Sequence, residues 1–328
     1  MFSFDRDIII NGPGLWLDAR RKKDFSFVSH AHSDHTCRHE RTLATPATLA
    51  LARERERIRR EARGMAPRRE NGEDVALPFG KPLRLDGAQV MLYPAGHILG
   101  SAQILVHCEL HGRTLLYSGD FCPERTAAAE EIEIPHADTL VMECTYGLPE
   151  HRFPPREEVI RQLHEFVEKT LESGRTPVLQ CYALGKGQEV MRLLCDGGYP
   201  VAAEEETWAL AQVYGQFGVD FPNCRRLAGG VRPGEAIVTP SVKSVVQFLA
   251  GCRIRTAAVT GWAVGGYSWR AGRADARIPL SDHADFDGLL RYVKAVDPEE
   301  VYIVHGPEEF AGYLTKAGYT VKRALSKE

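Results

Sequence analysis

Residues 25–35 read FSFVSHAHSDH, a short β-prone run that ends directly in a cluster of histidines. The cluster offers four potential metal ligands, namely His30, His32, Asp34 and His35. A strand end followed by a tight turn can direct two imidazoles toward one metal ion while the other two side chains face a second. Imidazole and carboxylate together suit zinc, iron or manganese. One histidine alone would favour a solvated polar loop, but a cluster of this density predicts a metal centre.

Further potential ligands follow other β-prone runs of the sequence. They are His97 after residues 90–93, Asp120 after residues 114–117 and His305 after residues 301–304. Each of these residues alone is typical of a turn or a core, and the repetition is what indicates a site. Two divalent ions held close together need a large ligand set, with a carboxylate between them. The sequence supplies His30, His32, Asp34, His35, His97, Asp120 and His305.

The composition is that of an ordinary globular protein. The chain has 328 residues, of which 44% are hydrophobic and 26% charged, with a net charge of −3. These values argue against disordered, collagen-like and coiled-coil classes, and the absence of an apolar run of about 18 residues argues against a membrane span or membrane partner. The eight cysteines form no CxxC pair and no secretory signal is visible, so we expect no disulfide framework and a cytoplasmic location.

The pattern of apolar residues changes after Pro154 and Pro155. Short strands dominate before this point, with one helix predicted from residue 46 to about residue 64. Helices and strands then alternate to about residue 277, which predicts a small parallel α/β unit. The tail returns to helix, strand and helix. We therefore predict an α/β protein in which residues 1–153 and 278–328 form one host domain and residues 154–277 an insertion.

The motifs HAHSDH at 30–35, GHILGS at 96–101, YSGDF at 117–121 and VHG at 304–306 resemble those of the metallo-β-lactamase superfamily. ECTYG at 143–147, SDHAD at 281–285 and the same VHG are similar to the three additional motifs of its nucleic-acid-processing branch, the β-CASP nucleases. Asp18 matches the first, structural aspartate of the superfamily. The resemblance spans essentially the whole chain. Within the branch, the chain looks most like bacterial DNA ligase-associated exonucleases. The resemblance implies an αββα sandwich with a short inserted β-CASP-like α/β domain.

The resemblance also implies how the ligands divide between two ions, zinc or manganese. One ion would be held by His30, His32 and His97, and the other by Asp34, His35 and His305, with Asp120 bridging both. A hydroxide bridging two divalent ions is a nucleophile at neutral pH and would attack phosphorus in line. Asp34 and Asp120 are therefore expected to act in catalysis as well as in metal binding.

Four other residues are candidates for roles in catalysis or in substrate binding. His283 is the predicted general acid or phosphate donor, and Glu143 would accept a hydrogen bond from its other ring nitrogen. The alternative for Glu143 is an ion pair in a helix or turn. Ser281 is predicted to donate to a phosphate oxygen, with a helix N-cap as its alternative. Lys186 could also reach a phosphate, although the GxxxxGK[ST] spacing of a P-loop is absent.

Two weaker patterns leave alternatives open. Arginines and glutamates interleave between residues 50 and 70, on and just after the predicted first helix, which indicates either a salt-bridged solvated face or contact with phosphates. The arginines are Arg53, Arg55, Arg57, Arg59, Arg60, Arg63, Arg68 and Arg69. A later segment could stack bases or belong to the core. Its residues are Trp262, Tyr267, Trp269, Arg270 and Arg273.

These observations predict a two-metal phosphodiesterase that acts on nucleic acid. The favoured hypothesis is a DNA exonuclease that acts in repair. An RNA-processing endo- or exoribonuclease, similar to factors that form mRNA 3′ ends, is the nearest alternative, because the ligands do not distinguish the sugar. A thioesterase or lactonase would not need the additional motifs. A non-catalytic scaffold is disfavoured because no ligand is missing. DNA ligase or helicase partners are implied only by the resemblance.

Overall fold

The computed structural model describes residues 1–5, 7–66, 73–266 and 274–323. The chain divides into two compact units. The first unit comprises Met1–Arg125, Ala129–Pro149 and His283–Glu328, and the second comprises Thr126–Ala128 and Glu150–Asp282. The predicted insertion, residues 154–277, lies inside the second unit.

Strands and helices are numbered along the whole chain. The strands are β1 Phe2–Asp5, β2 Asp7–Ile10, β3 Leu15–Leu17, β4 Phe25–Phe27, β5 Arg41–Ala44, β6 Val75–Ala76, β7 Leu83–Leu85, β8 Ala88–Pro94, β9 Ala102–Cys108, β10 Arg113–Tyr117, β11 Thr139–Glu143, β12 Thr176–Gln180, β13 Val201–Ala203, β14 Cys224–Arg226, β15 Ala236–Thr239, β16 Ile254–Val259, β17 Ala276–Ile278, β18 Glu300–Val304 and β19 Val321–Arg323. The helices are α1 Pro46–Glu61, α2 Arg156–Glu172, α3 Lys186–Asp196, α4 Glu205–Gln216, α5 Val242–Val245, α6 Phe286–Val296 and α7 Phe310–Lys316. Two short 3₁₀ turns cover Val246–Phe248 and Gly261–Gly266.

The first unit contains two sheets that share one core. One sheet has the order β1-β2-β3-β4-β5-β6 and the other the order β19-β18-β11-β10-β9-β8-β7. Successive side chains along each strand point to opposite faces of its sheet, so one set of side chains from each sheet can face the other sheet. Phe27 and Leu43 of the first sheet pack with Val90, Leu92 and Ile104 of the second in a single buried cluster.

Helices cover the outer faces of both sheets in this unit. Ala44 points away from the shared core and packs with Leu49 of α1. On the second sheet, Leu140 and Met142 pack with Leu289 of α6 in a separate cluster. The layers thus follow the order helix, sheet, sheet, helix, which confirms the predicted αββα sandwich.

Strand direction explains why polar residues gather at one edge of the second sheet. Strand β9 is antiparallel to both β8 and β10. Strand β11 lies between β10 and β18 and is parallel to both. Strands β8, β10, β11 and β18 therefore run in the same direction, and their carboxyl ends meet at one edge. His97, Asp120, Glu143 and His305 lie at or just beyond those ends.

The second unit is built on a sheet of six parallel strands in the order β14-β13-β15-β12-β16-β17. Strand β12 is buried on both faces, because Leu179 packs in one apolar cluster and Val178 in another. A central strand covered on both sides is typical of parallel sheets. The predicted parallel α/β unit is confirmed, and so is the apolar face of α2. That face consists of Val159, Leu163, Phe166, Val167 and Thr170.

We expect Leu140→Ala to lower the free energy of unfolding by about 2–5 kcal/mol, because it leaves a cavity in a closely packed core. Leu140 is 0% exposed, whereas Leu110 is 81% exposed and provides a matched control of the same chemistry. Leu110→Ala should change the stability by less than about 0.5 kcal/mol. Denaturant titration of both variants measures the difference, and equal midpoints would contradict the packing described here.

Candidate metal centre

Three imidazoles converge on one point in the first unit. The Nε2 atoms of His30 and His97 each lie 3.1 Å from Nδ1 of His32. A carboxylate oxygen of Asp120 lies 3.6 Å from Nε2 of His30. One ligand atom from each of these four residues lies within 4.8 Å of the other three. Residues that are distant in sequence thus form one compact set of donors.

The protonation state of His30 suits a metal ion. Burial lowers the pKa of His30 well below its ordinary value, and the neighbouring imidazoles of His35, His97 and His32 lower it further against the opposing effect of Asp120. A neutral imidazole has one ring nitrogen without a proton, and that nitrogen can bind a metal ion. Neutral imidazoles with a carboxylate are common ligands of zinc and also bind manganese. The residues present therefore fit a divalent ion.

His35 lies between two carboxylates beside this group. Its Nδ1 is 2.8 Å from an oxygen of Asp18, and its Nε2 is 3.4 Å from an oxygen of Asp120. Burial opposes a positive charge on this ring, but Asp120 and Asp18 together raise the pKa of His35 well above its ordinary value. His35 and His30 in turn keep the pKa of Asp120 well below its ordinary value despite burial. Asp120 thus lies between His30 and His35, the position that a bridging carboxylate requires.

Asp34 and His305 both lie close to His35. An oxygen of Asp34 is 3.8 Å from Nε2 of His35, and the Asp34 side chain is 68% exposed. The ring of His305 is centred 5.2 Å from that of His35. Burial and the nearby His35 lower the pKa of His305, which favours its neutral form. Both residues are close enough to belong to the site, and their assignment to the second ion stays a prediction.

Asp18 holds several parts of the site in place. Its carboxylate accepts hydrogen bonds from the backbone N–H and the hydroxyl of Ser29, at 2.7 and 2.6 Å, and from the hydroxyl of Tyr117 at 2.9 Å. With the contact to His35, this carboxylate orients the ring so that Nε2 faces Asp120. The backbone of Asp18 is left-handed, with a φ of 43°. Ser29 and Tyr117 are not among the residues predicted from the sequence, although Tyr117 begins the YSGDF motif.

We expect Asp18→Asn to weaken metal affinity about 10- to 100-fold, because groups that orient ligating histidines contribute to affinity on this scale. Titration of the metal-stripped protein with zinc measures the effect. Tyr117→Phe is the matched control, since it removes one hydrogen bond to Asp18 but leaves the contact with His35. Equal affinities for Asp18→Asn and the native protein would contradict the orienting role.

A second pair of residues lies next to the three histidines. Nδ1 of His283 is 2.9 and 3.2 Å from the two carboxylate oxygens of Glu143. Glu143 is buried and also accepts hydrogen bonds from the backbone N–H of Phe121 and the hydroxyl of Thr145. The ring of His283 is centred 4.5 Å from that of His97. The structure thus contains the expected contact between His283 and Glu143, and the roles assigned to them stay predictions.

Comparisons with known proteins agree with this architecture. The family model of the Zn-dependent metallo-hydrolase RNA specificity domain matches residues 274–323. A probable DNA ligase of Opitutus terrae is 40% identical over 320 residues, which are 96% of this chain and 30% of that protein. RNase aCSPSF2 of Saccharolobus solfataricus is 26% identical over 275 residues, 71% of this chain and 55% of that protein. An RNase J-like protein of Methanocaldococcus jannaschii is 38% identical over 104 residues, 31% of this chain and 24% of that protein.

The chain belongs to the β-CASP branch of the metallo-β-lactamase superfamily. Its fold is the αββα sandwich of that superfamily with a short β-CASP-like α/β domain. The chain spans less than two thirds of the length of each of these three relatives. No helix among the residues that the structure describes is long and apolar enough to cross a membrane.

Two of the candidate substrate contacts of this β-CASP protein lie in the second unit. Lys186 is 1% exposed, and its Nζ lies 3.2 Å from carboxylate oxygens of both Glu189 and Asp282. Ser281 is buried, and its carbonyl accepts a hydrogen bond from Arg156. Contact of Lys186 and Ser281 with a phosphate stays a prediction. The alternative interpretation of Ser281 as a helix N-cap is wrong, because Asp285 caps α6.

The arginines of α1 do not all behave alike. Arg57 forms ion pairs with Glu54 and Glu61, so the salt-bridged interpretation holds for that residue. Arg55 instead donates to the carbonyl of Ala31, between two candidate ligands, at 2.5 Å. The sequence carried no signal for that contact. Arg68 and Arg69 lie outside the described residues.

The aromatic segment is described only in part. The ring of Trp262 is centred 5.5 Å from that of His151 within the second unit. The other predicted stacking residues lie outside the described part of the chain. They are Tyr267, Trp269, Arg270 and Arg273.

Proposed function

We propose that this chain is a metal-dependent nuclease that hydrolyses phosphodiester bonds, and that it acts as a DNA exonuclease in repair. The observation that supports the proposal is that residues suited to two functions lie close together in one buried site. A group of histidines and Asp120 that suits divalent ions adjoins His283, whose ring is backed by Glu143. Phosphodiester hydrolysis needs both an activated water and a proton for the leaving oxygen.

The ligands would divide between two ions, zinc or manganese. We assign one ion to His30, His32 and His97, and the other to Asp34, His35 and His305, with Asp120 shared. When bound, such ions lower the pKa of water and offset negative charge on the phosphate. The chain itself contributes the imidazoles, the shared carboxylate and the orientation that Asp18 imposes on His35.

His283 would supply the proton to the leaving oxygen. The Glu143 carboxylate contacts Nδ1, so it stabilises the imidazolium form of the ring and retains the Nδ1 proton. The remaining proton on Nε2 is then available for transfer. Since Glu143 is itself held by Phe121 and Thr145, the ring has a fixed orientation. His283 thus provides a proton at a defined place beside His97.

Support for DNA as the substrate comes from the relative that aligns with nearly the whole chain. That relative is named a probable DNA ligase, and 96% of this chain aligns with 30% of its length. A region similar to this chain is therefore one part of a longer polypeptide that is named a probable DNA ligase. On this basis we propose that the protein processes DNA ends before ligation, and that a DNA ligase is its partner. A helicase partner rests on the resemblance of the motifs alone.

RNA is the second candidate substrate, and a specific observation favours it. Residues 274–323 match a domain described by its RNA specificity, and two of the relatives are named RNases. These residues include His283 and His305. An RNA-processing nuclease would use the same ligands and the same proton donor.

A direct assay decides between these proposals. The purified protein is incubated with matched, end-labelled single-stranded DNA and RNA of the same sequence, with manganese, zinc or magnesium in separate reactions. Stepwise shortening of DNA alone would support the exonuclease, and the labelled end would reveal its direction. Equal or preferential cleavage of RNA would favour the RNA-processing function. No cleavage of either, with metal bound, would overturn the proposal and favour a small-ester hydrolase or a scaffold.

A further inference from the structure

Four consecutive cations lie between β3 and β4, the strand that leads to His30. They are Arg20, Arg21, Lys22 and Lys23. Two of them have local partners, since Lys22 pairs with Glu40 at 2.9 Å and Lys23 lies 3.3 Å from the centre of the Trp16 ring. Arg20 behaves differently. Its Nη2 lies 3.2 Å from Nδ1 of His305, a residue 285 positions away in the sequence.

The backbone next to Arg20 is held on both sides. The N–H of Asp18 donates to the carbonyl of Phe27 at 2.9 Å, and the N–H of Arg20 donates to the carboxylate of Asp7 at 3.4 Å. Asp18 is further held by its contacts with Ser29, Tyr117 and His35. The guanidinium of Arg20 therefore extends from an ordered segment toward the edge of the candidate metal centre, and the residue is exposed to solvent.

A guanidinium carries five N–H donors in a planar fork and accepts none, so the contact with His305 leaves further donors available. Divalent ions bound at the site would repel the guanidinium of Arg20, and an anion between the charges would reduce that repulsion. A phosphate oxygen satisfies both sides, because it accepts from a guanidinium and is attracted to divalent ions. We propose that Arg20 binds a phosphate of the nucleic-acid substrate at the His305 side of the metal centre. This inference rests on the proposed nuclease function.

The test compares Arg20→Ala with Arg21→Ala, which removes the same charge from the adjacent exposed position. Binding of single-stranded DNA is measured over a range of salt, with metal at saturation, in a His283→Ala background. That variant is expected to keep its metal and to cleave too slowly to interfere. We expect Arg20→Ala to raise Kd about 10-fold, as for loss of a hydrogen bond to a charged group. The slope of log K against log salt should also fall by about 0.7, the value for one phosphate of a single strand. Arg21→Ala should change Kd less than about 2-fold, and Arg20→Lys should restore the slope.

Two controls separate the possible failures. Metal content of Arg20→Ala in the otherwise native protein should equal that of the native protein, and a loss of metal would mean that Arg20 acts only through His305 and would overturn the inference. Equal effects of Arg20→Ala and Arg21→Ala would overturn it too. If the native protein cleaves DNA or RNA but Arg20→Ala binds normally, only this inference fails. If the native protein neither binds nor cleaves nucleic acid, the proposed function fails first.

A separate observation in the second unit concerns Cys195 and Cys224. Cys195 is in the last turn of α3, and Cys224 begins the edge strand β14. Their sulfur atoms lie 3.2 Å apart, about 1 Å more than the length of a disulfide bond. The contact with Cys224 lowers the pKa of Cys195 to about 7 against the effect of burial, with help from the N–H of Asn223 and from Arg192. By contrast, burial raises the pKa of Cys144 to about 12.

We infer that Cys195 and Cys224 form a reversible disulfide when the protein meets a peroxide. The sulfur of Cys195 attacks one peroxide oxygen, which breaks the O–O bond and yields a sulfenic acid and one water. The sulfur of Cys224 then attacks that of Cys195, and the sulfenic hydroxyl leaves as a second water with the proton of Cys224. Two thiols are oxidised and one hydrogen peroxide is reduced to two waters. The cross-link would join α3 to the edge strand of the sheet.

Peptide mass mapping after treatment with hydrogen peroxide tests this site. We expect a cross-linked pair of peptides that contain Cys195 and Cys224, with the loss of two hydrogens, and its disappearance after dithiothreitol. Cys195→Ser and Cys224→Ser should each abolish the cross-link, whereas Cys252→Ser, a partly exposed cysteine of the same unit, should retain it. A cross-link between other cysteines, or only irreversible oxidation, would overturn the inference. The result does not depend on nuclease activity.

Discussion

Asp120→Ala is expected to reduce nucleic-acid cleavage by at least about 10³-fold, because charge stabilisation by bound metal ions is worth several kcal/mol in the transition state. The Asp120 carboxylate lies 3.6 Å from Nε2 of His30 and 3.4 Å from Nε2 of His35. Its removal leaves both groups of histidines without the carboxylate that they share. Cleavage rates and metal content, measured by atomic spectroscopy on the same preparation, should fall together.

Two control variants test whether the effect of Asp120→Ala is due to loss of the carboxylate charge at this position. Asp120→Asn keeps the shape of the side chain but not its charge, so we expect it to lose activity nearly as completely. Asp86→Ala removes an exposed carboxylate from the turn between β7 and β8 and should leave the rate unchanged. Thermal unfolding followed by circular dichroism checks that all three variants are folded. Full activity of a folded Asp120→Ala protein would contradict the assigned role.

His283→Ala is expected to lower turnover about 10²- to 10⁴-fold, the range for loss of a general acid, while the protein keeps its metal. The reason is that Glu143 engages Nδ1 of His283 at 2.9 Å and orients the ring so that Nε2 can donate a proton to the leaving oxygen. Single-turnover cleavage with metal at saturation measures the chemical step. Loss of one metal equivalent from His283→Ala would show that His283 is a ligand instead.

Glu143→Gln provides a matched partner for this test. The amide keeps an oxygen that can accept from the backbone N–H of Phe121, but it carries no charge to stabilise the imidazolium. We therefore expect a smaller loss of turnover than for His283→Ala. The double variant should be about as slow as His283→Ala alone, because the two residues act as a unit. Additive losses would mean that Glu143 acts independently of His283.

Much of this architecture could be predicted from local sequence because it depends on local periodicity. The face of α2 that includes Val159, Leu163 and Phe166 recurs at helical spacing and is the face that the structure buries. The pattern of a strand followed by a potential ligand also repeats along the chain, so the ligands after β4, β8, β10 and β18 could be predicted without coordinates. Such patterns can be recognised in the sequence because each one lies within about ten consecutive residues.

Other features required contacts between distant parts of the chain. The N-cap interpretation of Ser281 is wrong because the residue that caps α6 lies four positions later, at Asp285, and the helix begins at Phe286. Lys186 carried no sign that its ammonium would be buried between Glu189 and Asp282, 96 positions further along. A lysine is mostly exposed, and only a packed interior with paired carboxylates reverses that preference.

The sequence by itself determined the fold class, the family and the residues that could bind metal, since these are carried by periodicity and by motifs. Only the tertiary structure decided how they are oriented and what surrounds them. The order β19-β18-β11-β10-β9-β8-β7 brings His305, Asp120 and His97 to one edge, and the pairing of β3 with β4 places Asp18 against His35. The approach of Arg20 to His305 follows from that arrangement. Strand order is set by the packing of the whole core, so no local stretch of sequence contains it.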